Sequence, residues 1–292
     1  MEDTYVMNMK RLIALALALV LSLALAACGS GAAPSPSASA PAESAPAESA
    51  SAESDLDYVK GKGALVIGYT VYAPMNYTDD NGEFTGFDTE LAKAVCEKLG
   101  VEPQFQEIVW ETKEIELAGK TIDCIWNGMT LDPEREVNMA CTVPYVKNAQ
   151  VVVMKADADY ADTSSLIGKS VCAEVGSAGE TQILGNEETK PDANLAQADY
   201  VGKSVQTDCL MEVAAGTCDA AVLDMTLANA MIGEGTDYAG LKIVDELAVE
   251  NYGVAFRQGS DVRDAVNEIF AELVADGSLG ALADKYGLEL AD

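Results

Sequence analysis

Histidine is missing altogether from these 292 residues. Its absence removes the commonest general base and the commonest metal ligand together. Cysteine offers no replacement. After Cys28 come Cys96, Cys124, Cys141, Cys172, Cys209 and Cys218, and no two of them form a CxxC pair. Without histidine or paired thiols, no zinc site is expected, and nothing else points to a metal or a cofactor. Basic residues are scarce too. Lys and Arg number 18 against 48 Asp and Glu, a net charge of −30. Nucleic acid is a polyanion and needs clustered Lys and Arg, so it is excluded as a partner. An anionic lipid surface is not attracted either, and solubility is the plain reading of the charge.

Long apolar runs are lacking, with one exception. Leu12 to Ala27 is Leu, Ala, Ile and Val apart from Ser22, and Met9-Lys10-Arg11 precedes it. The run is too short to span a bilayer comfortably and ends in small residues, as cleaved signal peptides do. Leu25-Ala26-Ala27-Cys28 resembles a bacterial lipobox, in which Cys28 would receive lipid and become the mature N-terminus. Residues 1–27 therefore read as a lipoprotein signal peptide. Residues 1 to 8 add nothing to that signal, and both Met1 and Met9 stay open as starts. The expected location is the extracytoplasmic face of the cell membrane, held by lipid on Cys28. Residues 28–55 are mostly Gly, Ala, Ser, Pro and Glu, with Pro41-Ala42-Glu43-Ser44 repeated at Pro46-Ala47-Glu48-Ser49. They can bury no apolar surface and are expected to form a disordered tether reaching about 30 Å.

Order is expected from near Leu56. Ala64 to Gly68, Ile122 to Trp126, Gln150 to Met154, Val171 to Ala173, Ala220 to Leu223 and Gly253 to Phe256 read as strands. Asp79-Asp80-Asn81-Gly82 is a turn signal. Asp88 opens a helix whose Leu91, Val95 and Leu99 recur four apart, stopped by Gly100. Asp132-Pro133-Glu134 is a helix start with Asp as N-cap and Pro first. Ser177 to Glu180 fits a capping box. Val262 to Val274 is an amphipathic helix ended by Gly277. Alternating strands and helices argue for an α/β fold. Cys124, Cys141 and Cys172 read as small buried hydrophobes. Cys209 and Cys218 are the one close pair, and their redox state stays open.

A run of short motifs then resembles family 3 of the bacterial solute-binding proteins, the polar amino-acid binders. They are Leu65 to Gly68, Pro74, Gly82, Gly86-Phe87-Asp88-Thr89-Glu90-Leu91-Ala92, Trp110, Asp123, Gly128-Met129-Thr130, Glu134-Arg135 and Pro144-Tyr145. The likeness continues through Gly176-Ser177, Asp219 to Asp224, Tyr252 to Ala255 and Asp276-Gly277. The resemblance implies a periplasmic-binding-protein type II fold. It has two lobes, two hinge crossings and ligand in the interlobe cleft. Lobe one would be 56–145 with 252–292, and lobe two 150–247, with hinges at 145–149 and 249–252.

An amino-acid zwitterion needs a cation for its carboxylate and an anion for its ammonium. Arg135 suits the carboxylate, because guanidinium pairs with it bidentately. By the resemblance, Asp224 takes the ammonium, helped by the Gly128 carbonyl and by Thr130, and Ser177 adds a donor. Asp224 could equally be the N-cap of the next helix. Ala178 stands where many relatives carry a second hydroxyl. Tyr72 and Trp110 match positions that sandwich the ligand. Tyr69 stands where glutamine and histidine binders carry a carboxylate. Leu223 replaces a His, Asn127 precedes Gly128 where a small residue is common, and Cys141 replaces a usual Phe. The pocket end therefore reads as neutral, suited to an uncharged side chain. The expected function is capture of an L-amino acid by a monomeric lipoprotein for an ABC permease and its ATPase. An amino-acid sensor reporting to a membrane partner is the alternative. A dehydratase-like enzyme on the same fold is weaker, since no carboxylate is assignable as its acid.

Overall fold

The structure, a computed structural model, describes residues 54–292. The signal peptide, Cys28 and most of the tether lie outside the described residues. Ser54 and Asp55, expected as the tether's end, belong instead to the folded body. Ser54 Oγ accepts the Asp57 N–H at 3.0 Å and donates to Asp261 at 2.6 Å. Asp55 pairs with Arg257 at 2.9 Å. This cap and ion pair open helix α1 (Asp55–Lys62).

Strand β1 (Ala64–Tyr69) leads to a hairpin, β2 (Tyr77–Thr78) and β3 (Phe84–Thr85), and helix α2 (Phe87–Leu99) leads to β4 (Glu102–Glu107). A 3-10 turn at Trp110–Thr112, α3 (Lys113–Ala118), β5 (Cys124–Thr130), α4 (Pro133–Asn138) and β6 (Ala140–Cys141) follow. The chain crosses over on β7 (Val146–Lys155) to β8 (Ser170–Glu174), α5 (Ala178–Leu184), β9 (Asp199–Lys203), α6 (Gln206–Ala215), β10 (Ala220–Asp224) and α7 (Met225–Met231). It returns on β11 (Leu241–Phe256) and ends with α8 (Val262–Ala275) and α9 (Ser278–Tyr286).

The sheet runs β4-β1-β5-β11-β7-β10-β8-β9. β1 lies parallel to β4 and β5 in one half, and β8 parallel to β9 and β10 in the other. β7 and β11 pair antiparallel from Val146↔Tyr252 to Leu241↔Lys155 and are the two crossings between halves. This is the two-lobed α/β arrangement that the resemblance implied. Every residue of β5 is buried, as a strand covered on both faces should be.

Two local expectations shift. β5 begins at Cys124 rather than Ile122, because Asp123 is held sideways. Its carboxylate accepts the Val66 N–H at 2.8 Å and pairs with Lys62 and Arg257. Helix α2 is entered at Gly86, not capped by Asp88. Gly86 has φ of 125°, and a Cβ there would lie 2.2 Å from the Met75 carbonyl oxygen. Asp88 instead turns inward. It accepts the Gly128 N–H at 2.6 Å and the Tyr145 hydroxyl at 2.8 Å, and burial lifts its carboxyl to about 7.

The six cysteines among the described residues are free, so Cys209 and Cys218 form no disulfide. Cys172 donates to the Cys209 carbonyl at 3.6 Å and the Ala220 carbonyl at 3.4 Å. Cys124 and Cys172 are buried, whereas Cys141 is half-exposed.

Candidate functional site

In open α/β sheets, ligands sit beyond the carboxyl ends of the strands. Here the last residues of β5, β8 and β10 are Thr130, Glu174 and Asp224, and all three line one cavity between the sheet halves. Trp110, Asn127, Gly128, Arg135, Ser177 and Gln206 complete most of its wall. Its volume is about 10 Å³. A larger groove of about 580 Å³ lies between Met225, Val249 and Glu289. Its cation, Lys147, is already paired with Glu289 and Asp292. The smaller cavity is the stronger candidate because unsatisfied and charged groups converge on it.

Arg135 arrives there from the first turn of α4. Asp132 caps that helix, accepting the Arg135 N–H at 2.9 Å, and also pairs with Arg135 Nε at 3.2 Å. The guanidinium donates to the Thr130 carbonyl at 2.9 Å and, across the cleft, to the Gly176 carbonyl at 3.1 Å. Lys113 donates to that same carbonyl at 3.1 Å and lies 4.8 Å above the Trp110 ring. Burial, then the neighbouring Arg135, lowers the Lys113 ammonium to about 8. Ser177 caps α5 by accepting the Glu180 N–H at 3.2 Å. The return half of the capping box is displaced, because the Glu180 carboxylate takes the Gly176 N–H at 2.8 Å.

Asp224 occupies the N-cap position of α7, yet its side chain makes no cap bond. Asn148 accepts the Thr226 N–H instead, at 3.1 Å. The Asp224 carboxylate faces the cleft and accepts from Asn148 at 2.6 Å, Gln150 at 2.8 Å, Tyr252 at 3.0 Å, and Gln206. Glu250, on β11, accepts from the same Asn148 and Gln150 amides at 2.6 and 2.8 Å and from the Thr130 hydroxyl at 2.9 Å. Two carboxyl groups thus share two amides in a dry site. Burial and the neighbouring Asp224 lift Glu250 to about 8, and burial raises Asp224 also. The pair retains a proton near neutral pH.

Seven of the nine expected ligand residues come together: Trp110, Asn127, Gly128, Thr130, Arg135, Ser177 and Asp224. Asn127 is already engaged with Thr70 and Asn76 through both ends of its amide. Tyr72 is one layer behind. Its hydroxyl bonds Tyr252 at 2.5 Å, and its ring sits 2.7 Å from where a Gly128 Cβ would be. Tyr69 is not in the lining and packs against Phe84 at 4.8 Å. Leu223 points into the core. Glu174, Glu250, Lys113 and Gln206 were missed. Beside the uncharged Asn127, Glu174 adds a carboxyl to the lining from a different strand, while Tyr69 and Leu223 lie outside it. No shared local signal marks the four missed residues: Glu174 ends β8, Glu250 lies inside β11, and Lys113 and Gln206 begin helices.

A model of the bacterial extracellular solute-binding proteins, family 3, matches residues 65–289. The arginine-binding extracellular protein ArtP of Bacillus subtilis (strain 168) is 28% identical over 228 residues, 77% of this chain and 87% of that protein. The L-cystine-binding protein TcyJ of Escherichia coli (strain K12) is 29% identical over 236 residues, 79% and 85% respectively. Among solved structures, the P235GK mutant of ArgBP from T. maritima superposes with a TM-score of 0.71 at 30% identity, covering 79% of this chain and 98% of that one.

Proposed function

Because the chain belongs to the bacterial extracellular solute-binding proteins, family 3, we propose that it captures an L-amino acid outside the cytoplasm and delivers it to an ABC importer. One observation carries this reading. Arg135 and Asp224, each only 5% exposed, face a single cavity from opposite halves of the sheet. Arg135 takes the ligand's α-carboxylate, with Ser177 as a further donor. Asp224, backed by Glu250, takes the α-ammonium, with the Gly128 carbonyl and Thr130 beside it. Trp110 gives a flat apolar wall. ArtP and TcyJ are named for binding arginine and cystine, which are both amino acids.

The halves act as lobes, 56–145 with 252–292 against 150–247, bending at 145–149 and 249–252. Ligand favours the closed form by touching both lobes. Arg135 and Lys113 both donate to the Gly176 carbonyl. A ligand carboxylate replaces that carbonyl as their acceptor. Cys28 anchors the chain by lipid, and the membrane partners are a permease and its ATPase. The protein acts as a monomer. Turnover is not expected, and loss of an added amino acid on incubation would mark catalysis. A sensor role would use the same cleft with a different membrane partner.

Thermal unfolding of the purified full-length protein with each of the twenty L-amino acids tests the reading. A ligand that binds only the native state, at a hundredfold excess over Kd, adds about 2.7 kcal/mol. Stabilisation by one or a few amino acids is the expected result. Stabilisation by none would overturn it.

A further inference from the structure

Glu174 is the one group at this site that the zwitterion leaves without a role. It ends β8, is 4% exposed, and lines the cavity beside Asp224. Its Oε1 is buried with no hydrogen-bond partner. The nearby cations are directed elsewhere. Lys113 donates to the Gly176 carbonyl and lies over Trp110. Arg135 is divided among Thr130, Gly176 and Asp132. Gln206 is within reach of the carboxyl, but a buried carboxyl oxygen left without a partner is costly and calls for an explanation. Burial first, then Asp224, lifts Glu174 to about 8, so it holds a proton near neutral pH.

Fully ionised, Asp224, Glu250 and Glu174 would outnumber Arg135 and Lys113, and Arg135 is already paired with Asp132, so the carboxyls hold protons instead. An amino-acid backbone is a neutral zwitterion and leaves Glu174 protonated. A ligand with one more positive charge takes the place of that proton. The α-ammonium end is also accounted for, because Asp224 and Glu250 are tied together through Asn148 and Gln150. Glu174 is outside that pair and is free to meet a side chain.

Building on the receptor reading above, we infer that Glu174 is a specificity-determining residue that pairs with a cationic side-chain tip, a guanidinium or an ammonium, so that the ligand class is basic L-amino acids. The free Oε1 accepts from the tip, and the cation balances the extra carboxyl. A charged-to-charged bond of this kind in a dry site is worth roughly tenfold or more in affinity.

The test compares L-arginine with L-citrulline, its uncharged isostere, by calorimetric titration of the full-length protein and of the Glu174→Gln variant. The wild type is expected to bind arginine at least about tenfold more tightly than citrulline. Glu174→Gln is expected to bring the ratio to within about twofold by weakening arginine alone, since only the charge pair is lost. Retained citrulline binding shows that the variant is folded. Equal affinities in the wild type would overturn the inference without any variant. An unchanged ratio in Glu174→Gln would overturn the role of Glu174. Binding of uncharged amino acids with no response to arginine would overturn the inference and leave the receptor reading standing. Failure of every amino acid to bind would remove both.

Discussion

Asp224 stands at the N-cap of α7, but its carboxylate is turned away from the helix that it heads. The three side chains and the hydroxyl that bond it hold it toward the cleft. Asn148, two residues before Gln150 on a crossing strand, takes over the capping. Asp224→Asn is therefore expected to leave α7 in place and to weaken amino-acid binding by about tenfold or more, the loss of one charge-assisted contact. Titration with the best ligand checks this, with far-UV circular dichroism as the control. Arg135 and Asp224 were both legible from residue type and motif. Glu174 and Glu250 were not, because an acid in a strand gives no sign of which face or neighbour it meets. Glu250 becomes a site residue only because β11 pairs with β7 and brings it to Asn148 and Gln150. Tyr69 erred the other way. Its ring finds Phe84 and Phe105, which lie far from it in sequence.

The elements themselves were read well where a local signal decides them. Asp132-Pro133 opens α4, and Val262, Val266, Ile269, Phe270 and Leu273 are the buried stripe of α8. Boundaries moved where a distant partner intervenes, as at Asp123 and Gly86. The entry of α2 shows how an element positions the site. Gly86 allows the chain to pass Met75, and Asp88 then reaches the Gly128 N–H and Tyr145 hydroxyl. The helix thereby fixes both the cleft-facing end of β5 and the start of the first crossing. Gly86→Ala meets a backbone oxygen that cannot yield, and its positive φ adds strain. It is expected to cost about 2 kcal/mol or more, lowering Tm by roughly 5 °C in thermal unfolding. Gly128→Ala meets the buried Tyr72 and Tyr252 rings and Met75, also at a positive φ, and is expected both to cost stability and to displace the carbonyl that faces the cleft.

For the whole molecule, buried carboxyls tie stability to pH. Glu174 and Glu250 are lifted to about 8 and Asp88 to about 7, chiefly by burial. Each binds its proton more tightly folded than unfolded. Their contribution is complete below the unfolded carboxyl range and is lost as pH rises through 7 to 8. Lys113, lowered to about 8, acts oppositely, but only above that value. Without ligand, Tm is expected to fall by several degrees between about pH 5 and 8, and Glu250→Gln is expected to flatten the slope. A Tm that rises across that range would contradict it. The membrane attachment proposed for Cys28 is checked by fractionation, where Cys28→Ala is expected to move the protein from the membrane to the soluble fraction. The central claim is that one amino acid is gripped between Arg135 and Asp224. Calorimetric titration of the best-binding amino acid into the wild type and into Arg135→Ala tests it most directly. The account predicts a loss of more than about tenfold in the variant. An unchanged affinity would contradict it.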